Sequence, residues 1–286
     1  MKTKVLISSD CGIESIPGGS IVRVLPDEIV FSPVEVYKNA KEMDFREFNL
    51  RLKYDLNANP EVKGCSEEVL KDILDDLETD GYDRFYFILS SQKLSYYKPL
   101  VEKLIKENRK LQAFYYTIKT EGYPICYMAM EAQKMFDQSR SIPDVERMIN
   151  FVDGNNTTYL YSPQEDKVAK IEKYSVDEEA FEIKGNSSIL YFLKRNDSSI
   201  IRLKEKNKSI GPYLDALLIE MDERKVIPFV MYTNKYSEYT KAILKELGKT
   251  FVHDEVLALE MPPYMVLKYG KYSIAVGYVV KYDKEA

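Results

Sequence analysis

The chain has 286 residues, 45% of them apolar and 30% charged, which is enough for more than one core and carries no mark of disorder. Lys and Arg number 41 against 46 Asp and Glu, a net −5 without any dense basic run, so a nucleic-acid partner that needs clustered cations is excluded. The single histidine, His253, excludes multi-histidine metal sites, and three scattered cysteines (Cys11, Cys65, Cys126) with no C-x-x-C pair fit reduced thiols in the cytoplasm.

The N-terminal "MKTKVLISSDCG" is too short in apolar residues for a signal peptide, and no run approaches the ~20 needed to cross a bilayer. A soluble cytoplasmic protein with no integral membrane segment is expected. "KVLIS" (4–8) and "EIVFSPVEVY" (28–37) read as strands. In 66–81, Val69, Leu70, Ile73, Leu74 and Leu77 recur at helical spacing, with Ser66 as cap, Glu67 and Glu68 in the first turn and Gly81 past the end. "RFYFILS" (84–90) is almost wholly apolar, the mark of a strand buried on both faces. A helix from Lys98 with Leu100, Val101, Leu104 and Ile105 inward, a strand over 111–117 and helices over 124–136 and 141–152 follow. Alternation of this kind predicts βαβ units around a parallel sheet.

After the polar stretch "DGNNTT" (153–158) the pattern changes. Strands are expected over 157–162, 187–195, 199–206, 225–233, 255–261 and 272–282, with "KRNDSS" as a hairpin turn. Helices interrupt at 212–224, opened by Gly211-Pro212, and at 236–248. The expected architecture is α/β in two domains: an N-terminal parallel-sheet domain over 1–154 and a C-terminal α+β domain over 155–286 with a mixed or antiparallel sheet.

Open α/β sheets bind ligands at the carboxyl ends of their strands. Three such ends carry hydroxyls: Ser8 and Ser9 before Asp10, the pair Ser90 and Ser91, and Tyr116 with Thr117. Hydroxyls there can hold a carboxylate or phosphate, or can serve only as helix caps. Tyr96 and Tyr97 follow the serine pair and could wall a pocket. Asp72, Asp75 and Asp76 fall on the outer face of their helix, a solvated face rather than a metal site. Ser90 as a nucleophile would need a base, and His253 in the other domain is the one conventional candidate. Neither a P-loop nor a G-x-G-x-x-G motif is present.

The order "SSDCGIESIP", "FSPVEV", "VKGCSEE", "GYDRFYFILSS", "FYYTIKTEG" and "MVLKYGKYSIAVGY" resembles the DegV family of bacterial fatty-acid-binding proteins over nearly the whole chain. The family's Ser-Ser pair followed by L-S-G-T-Y places Ser90 and Ser91 at the pair and Tyr97 at the tyrosine, with the Gly-Thr replaced. Its T-S-x-P-S loop aligns with "GCSEE", so that Gly64 stands at the threonine and Cys65 at the serine, leaving Ser66 as the nearby hydroxyl. Asp10 and Glu14 match the early D-S-x-x-D pattern loosely; Tyr116 and Thr117 replace a D-S, and Gly122 matches a glycine. The family's G-G-R segment has no counterpart in "YSPQEDKVAKIEK", and its H-T-G-P-G becomes "KYGKY", with Lys268 at the histidine and Gly270 kept.

The resemblance implies a long-chain fatty acid in a tunnel between the two domains, no other cofactor and no catalytic residues. Ser90, Ser91, Ser66, Lys268 and Thr117 would serve the head group. It also implies presentation of the carboxylate to a partner fatty acid kinase that makes the acyl-phosphate. The replaced motifs keep a second reading open, a family paralogue that binds another amphiphile or acts through protein contacts alone. A third is a small phosphotransferase or hydrolase built on the strand tips and Asp10.

Overall fold

The computed structural model describes residues 1–38, 41–55, 58–106, 108, 110–118, 120–162, 189–193, 200–203, 211–222, 225–235, 237–251 and 256–282. The chain divides into two units, Met1–Asp153 and Gly154–Ala286.

In the first unit β1 (Thr3–Ser8), β2 (Arg23–Leu25), β3 (Glu28–Ser32), β4 (Glu35–Lys38), α1 (Phe45–Tyr54), β5 (Glu61–Lys63), α2 (Glu67–Thr79), β6 (Arg84–Ser90), α3 (Ser91–Ile105), β7 (Gln112–Ile118), α4 (Tyr123–Asp137) and α5 (Ile142–Gly154) follow in turn. Four strands form a parallel sheet in the order β2-β1-β6-β7. Val5, Leu6 and Ile7 of β1 and Phe85 to Leu89 of β6 are fully or almost fully buried, as their unbroken apolar run requires. On one face, Leu70, Ile73, Leu74 and Leu77 of α2 and Tyr97 and Val101 of α3 pack on Leu6, Phe85, Phe87 and Leu89. Their recurrence every three or four residues gives each helix its apolar stripe. Gln133 of α4 serves β1 instead: Val5 N–H donates to its Oε1 at 2.8 Å and its Nε2 donates to Thr3 C=O at 3.2 Å. The β1–β2 ladder begins only at Leu6, so Gln133 completes the edge that β2 leaves open.

Two expectations change here. The segment 28–37 is a hairpin, β3 and β4, which joins β5 in a small antiparallel sheet ordered β4-β3-β5. The turn falls at Pro33-Val34, where proline has no N–H to give a ladder. The helix expected from Lys98 starts at Ser91, a full two turns earlier, with Pro99 inside it. Tyr97 and Val101, both fully buried, anchor the helix on either side of the proline. α1, β2 and β5 were not anticipated.

The second unit contains β8 (Thr157–Ser162), β9 (Ile189–Leu193), β10 (Ile200–Leu203), α6 (Gly211–Asp222), β11 (Val226–Tyr232), α7 (Glu238–Thr250), β12 (Leu257–Glu260), α8 (Pro263–Tyr269) and β13 (Ile274–Val280). Its sheet runs β10-β9-β8-β13-β11-β12, antiparallel throughout except for the parallel pair β11–β12. This is the mixed sheet expected. β13 is buried along its length, and Val226, Val230, Tyr232, Ile243, Leu247, Ile274 and Val276 form the core. Pro228 is tolerated inside β11 because β12 pairs only from Phe229 onward, so among the described residues the strand has one neighbour at that point. The expected turn "KRNDSS" and His253 lie outside the described residues.

Candidate functional site

In the sheet order β2-β1-β6-β7, the chain leaves β1 on one side and returns on the other, so the crevice at the carboxyl ends of β1 and β6 is the topological switch point. β1 runs into the turn Ser9–Cys11, closed by Gly12 in the left-handed region at φ 79°. β2 leads through Pro26 to Asp27, and β6 runs directly into α3. Each of these three strand ends delivers one charged residue to the same place: Asp10, Asp27 and Lys93.

Lys93 Nζ meets Asp27 Oδ1 at 2.6 Å, with side-chain exposures of 7% and 0%. Tyr97 OH faces the same oxygen at 3.5 Å and Cys65 Sγ at 3.6 Å, and accepts from Cys65 N–H at 3.0 Å. Asp27 N–H donates to Ser9 Oγ at 2.8 Å, while Ser8 Oγ donates to Asp10 Oδ1. Asp27 Oδ2 is buried with no hydrogen-bond partner among the described residues. Burial pushes the Asp27 carboxyl up to about 7, with Asp10 adding to the rise and Lys93 and Tyr97 opposing it. Burial also raises Asp10, against the pull of Lys93 and Ser8. Two desolvated carboxylates around one ammonium reach neutrality when they share one proton, so the cluster titrates as a unit. Burial pushes the Cys65 thiol up to about 11 and the Tyr97 phenol far above its ordinary value. Both stay protonated near neutrality, and Cys65 is no nucleophile.

The residues singled out in the sequence fall around this cluster. Ser90 caps α3, its Oγ accepting from Lys93 N–H at 3.4 Å; it is half-buried. Ser91 is the exposed first residue of α3. Ser66 is exposed and caps α2, accepting from Val69 N–H at 3.3 Å. A capping hydroxyl spends a lone pair and keeps its proton, so each of these caps can still donate to an anion. Tyr96 and Tyr97 tie α3 to the segment before α2: Tyr96 OH donates to Cys65 C=O at 2.9 Å, and its ring lies against Gly64. Thr117 is exposed within β7, opposite Leu89, and the strand continues to Ile118. Lys268 stands in the last turn of α8 in the second unit, its ammonium 5.0 Å above the Tyr269 ring.

The two helix N-termini differ as anion sites. Glu67 and Glu68 crowd the first turn of α2, whereas the first turn of α3 carries no acid. The partial positive charge of α3 is therefore the less opposed of the two. Asp27 and Lys93 were missed in the sequence. The signal for Lys93 was present: stepping back four residues from Val101 gives Tyr97, and four more gives Lys93, all three buried. Asp72, Asp75 and Asp76 are exposed, and among the described residues no group of acidic, Cys or His side chains could hold a metal ion. No described helix is long and apolar enough to cross a membrane.

No family model matches the chain. No curated protein matches it either. Solved structures do. A DegV lipid-binding protein from Thermotoga maritima is 17% identical with a TM-score of 0.73, covering 99% of this chain and 100% of its own. A DegV family protein from Thermus thermophilus, described for its fatty acid binding, is 15% identical with a TM-score of 0.76, covering 98% and 100%. A stearic-acid-binding protein from Eubacterium ventriosum is 15% identical with a TM-score of 0.77, covering 98% and 99%. The chain has the DegV fold.

Proposed function

We propose that the chain is a carrier for a long-chain fatty acid, with the carboxylate held at the start of α3 by the hydroxyls of Ser90 and Ser91 and assisted by Ser66. The observation that carries this reading is the acid-free N-terminus of α3, capped by a hydroxyl that retains its proton, at the switch point of a DegV fold. The names of the similar structures, which speak of lipid, fatty acid and stearic acid, support the ligand class. The tail follows the expected tunnel between the two domains, and Lys268 and Thr117 remain proposed contributors to the head group.

Affinity in such a carrier comes from the tail. About 15 methylenes at ~0.8 kcal/mol each give a gross ~12 kcal/mol. Lost freedom on association consumes several of these, so the head site fixes orientation rather than strength. Presentation of the carboxylate to a partner kinase is the further step we propose, with the chemistry done by the kinase and none by this chain.

A second reading keeps one observation in its favour. The space beside Gly64, where the resemblance puts a threonine, is filled by the Tyr96 ring, which fits an amphiphile with a different head. The test is mass spectrometry of organic extracts from the purified protein, followed by uptake of palmitate by lipid-stripped protein. A C16 or C18 acid in the extract and stoichiometric uptake are expected, weakened about tenfold in Ser90→Ala/Ser91→Ala through loss of two donors to a charged group. An extract with no acyl chain and no uptake of palmitate or oleate overturns the carrier reading.

A further inference from the structure

One residue joins the proposed head site to the buried ion pair. The backbone N–H of Lys93 donates to Ser90 Oγ, and its ammonium, one turn into the same helix, meets Asp27 Oδ1 at 2.6 Å. Both side chains are shielded from solvent, so their charges act on their neighbours with little screening. The orphaned Asp27 Oδ2 is the second sign that this pair does more than hold the fold. A buried, ionised carboxylate with one unpaired oxygen is costly, and a proton on it removes most of that cost.

We infer that Lys93 and Asp27 are a proton-linked counter-charge for the anion bound at the start of α3: as the head group binds, Asp27 takes up a proton and leaves the Lys93 charge to attract it. The inference rests on the fatty-acid reading and adds to it how that site responds to pH. At high pH the Asp27 carboxylate cancels Lys93, and Asp10 contributes further negative charge. As the pH falls the carboxylates take up a proton, the site becomes more positive, and an anion binds more tightly. By reciprocity, a bound anion favours the protonated form.

The groups facing Asp27 are Lys93 and Tyr97 from α3, Asp10 and Glu14 from the turns after β1, and Cys65 from the segment before α2. Glu121, just before α4, faces Asp10. Glu28 of β3 faces Cys65. Tyr97 and Cys65 hold their protons throughout. The Glu14 carboxyl is also pushed up, to about 8, but its side chain reaches solvent, so water screens it and its charge changes the site weakly. Asp27, with Asp10, carries most of the response around neutral pH. A fatty-acid carboxylate in solution is already ionised there, so a response in that range belongs to the protein.

The test uses decanoate, a soluble monomeric anion, titrated calorimetrically into the lipid-stripped full chain at pH 6 and pH 8 in buffers of different ionisation heat. Affinity should be about three- to tenfold higher at pH 6, with a net uptake of up to about half a proton per decanoate near pH 7. Asp27→Asn should bind equally at both pH values and take up no proton. If that variant does not fold, Asp27→Leu/Lys93→Met replaces the ion pair with apolar groups of similar size and should also give a flat profile. A flat wild-type profile, or the same slope in a folded variant, overturns the inference and leaves the fatty-acid reading standing. Failure of the wild type to bind decanoate or palmitate at either pH overturns both.

Discussion

The two units bury polar groups in different ways. In the second, Thr157 Oγ1 donates to Tyr278 OH at 3.2 Å, Tyr278 donates to Glu220 at 3.0 Å and Tyr159 donates to Glu220 at 3.4 Å. The carboxylate there is half-buried and keeps access to water, and the buried members are uncharged hydroxyls. Such a chain satisfies a sheet surface at modest cost. In the first unit an ammonium and two carboxylates are withdrawn from water, and one carboxylate oxygen is left without a partner. Charges held so deeply repay their desolvation poorly as structure alone, and apolar residues of the same volume would usually serve as well. The comparison therefore assigns architecture to the polar groups of the second sheet and fits the proposed ligand-responsive role of those at the strand tips of the first.

The sharpest way to break that contrast is to remove one charge. Lys93→Ala leaves Asp27 buried and uncompensated, and should cost about 3–5 kcal/mol at pH 8, read by urea unfolding followed by circular dichroism. The cost should shrink at pH 6, where Asp27 carries a proton. The folded state raises this carboxyl from 3.8 to about 7, so its stabilising contribution is complete below 3.8 and is lost as the pH rises through about 7. Relative to Asp27→Leu/Lys93→Met, the wild type should thus lose stability between pH 5 and pH 8, by at most about 1.4 kcal/mol per pH unit. A constant difference across that range would mean that Lys93 keeps Asp27 ionised and that the strand-tip charges are as static as those of the second unit.

The second unit has a rigid point of its own. A Cβ on Gly277 in β13 would lie 2.1 Å from Thr157 C=O and 2.9 Å from Phe229 Cζ. Thr157 belongs to the neighbouring β8, so a methyl group cannot fit unless that ladder opens. Gly277→Ala should cost about 3 kcal/mol, seen as a lowered urea midpoint. A neutral outcome would show that this sheet yields more easily than its full burial implies.

Long apolar strands and striped helices were legible in the sequence because burial on one or both faces writes itself into residue order. The fully buried run of β6 and the Leu70, Ile73, Leu74 and Leu77 stripe of α2 are of this kind. Three-residue strands such as β2 and β5 carry too few positions to show any period, and their pairing depends on partners far along the chain. The caps were legible as hydroxyls, but a cap and a ligand donor look identical until the geometry shows that one atom can be both. The ion pair was hidden for another reason. Lys93 and Asp27 are 66 residues apart, and a charged residue on a helix is ordinarily on its wet face. Only the packing of α3 against β6 and β7 turns that residue inward.

The smallest effect expected concerns the aromatic that covers Gly64. A Cβ there would lie 2.4 Å from Tyr96 Cε1 and 3.1 Å from Tyr97 OH. Tyr96 is 43% exposed, so unlike the strand backbone at Gly277 its ring can swing into solvent, giving up the bond from its hydroxyl to Cys65 C=O. Gly64→Ala should therefore cost about 1 kcal/mol, the worth of one such bond. In a Tyr96→Ala background the same substitution should cost nothing, because the methyl then enters space already vacated. Urea unfolding of the four proteins in this cycle gives the coupling directly. Equal costs in both backgrounds would place the strain on Tyr97 instead. That side chain is fully buried and holds Cys65, so the clash would then pass into the charged cluster rather than out to solvent.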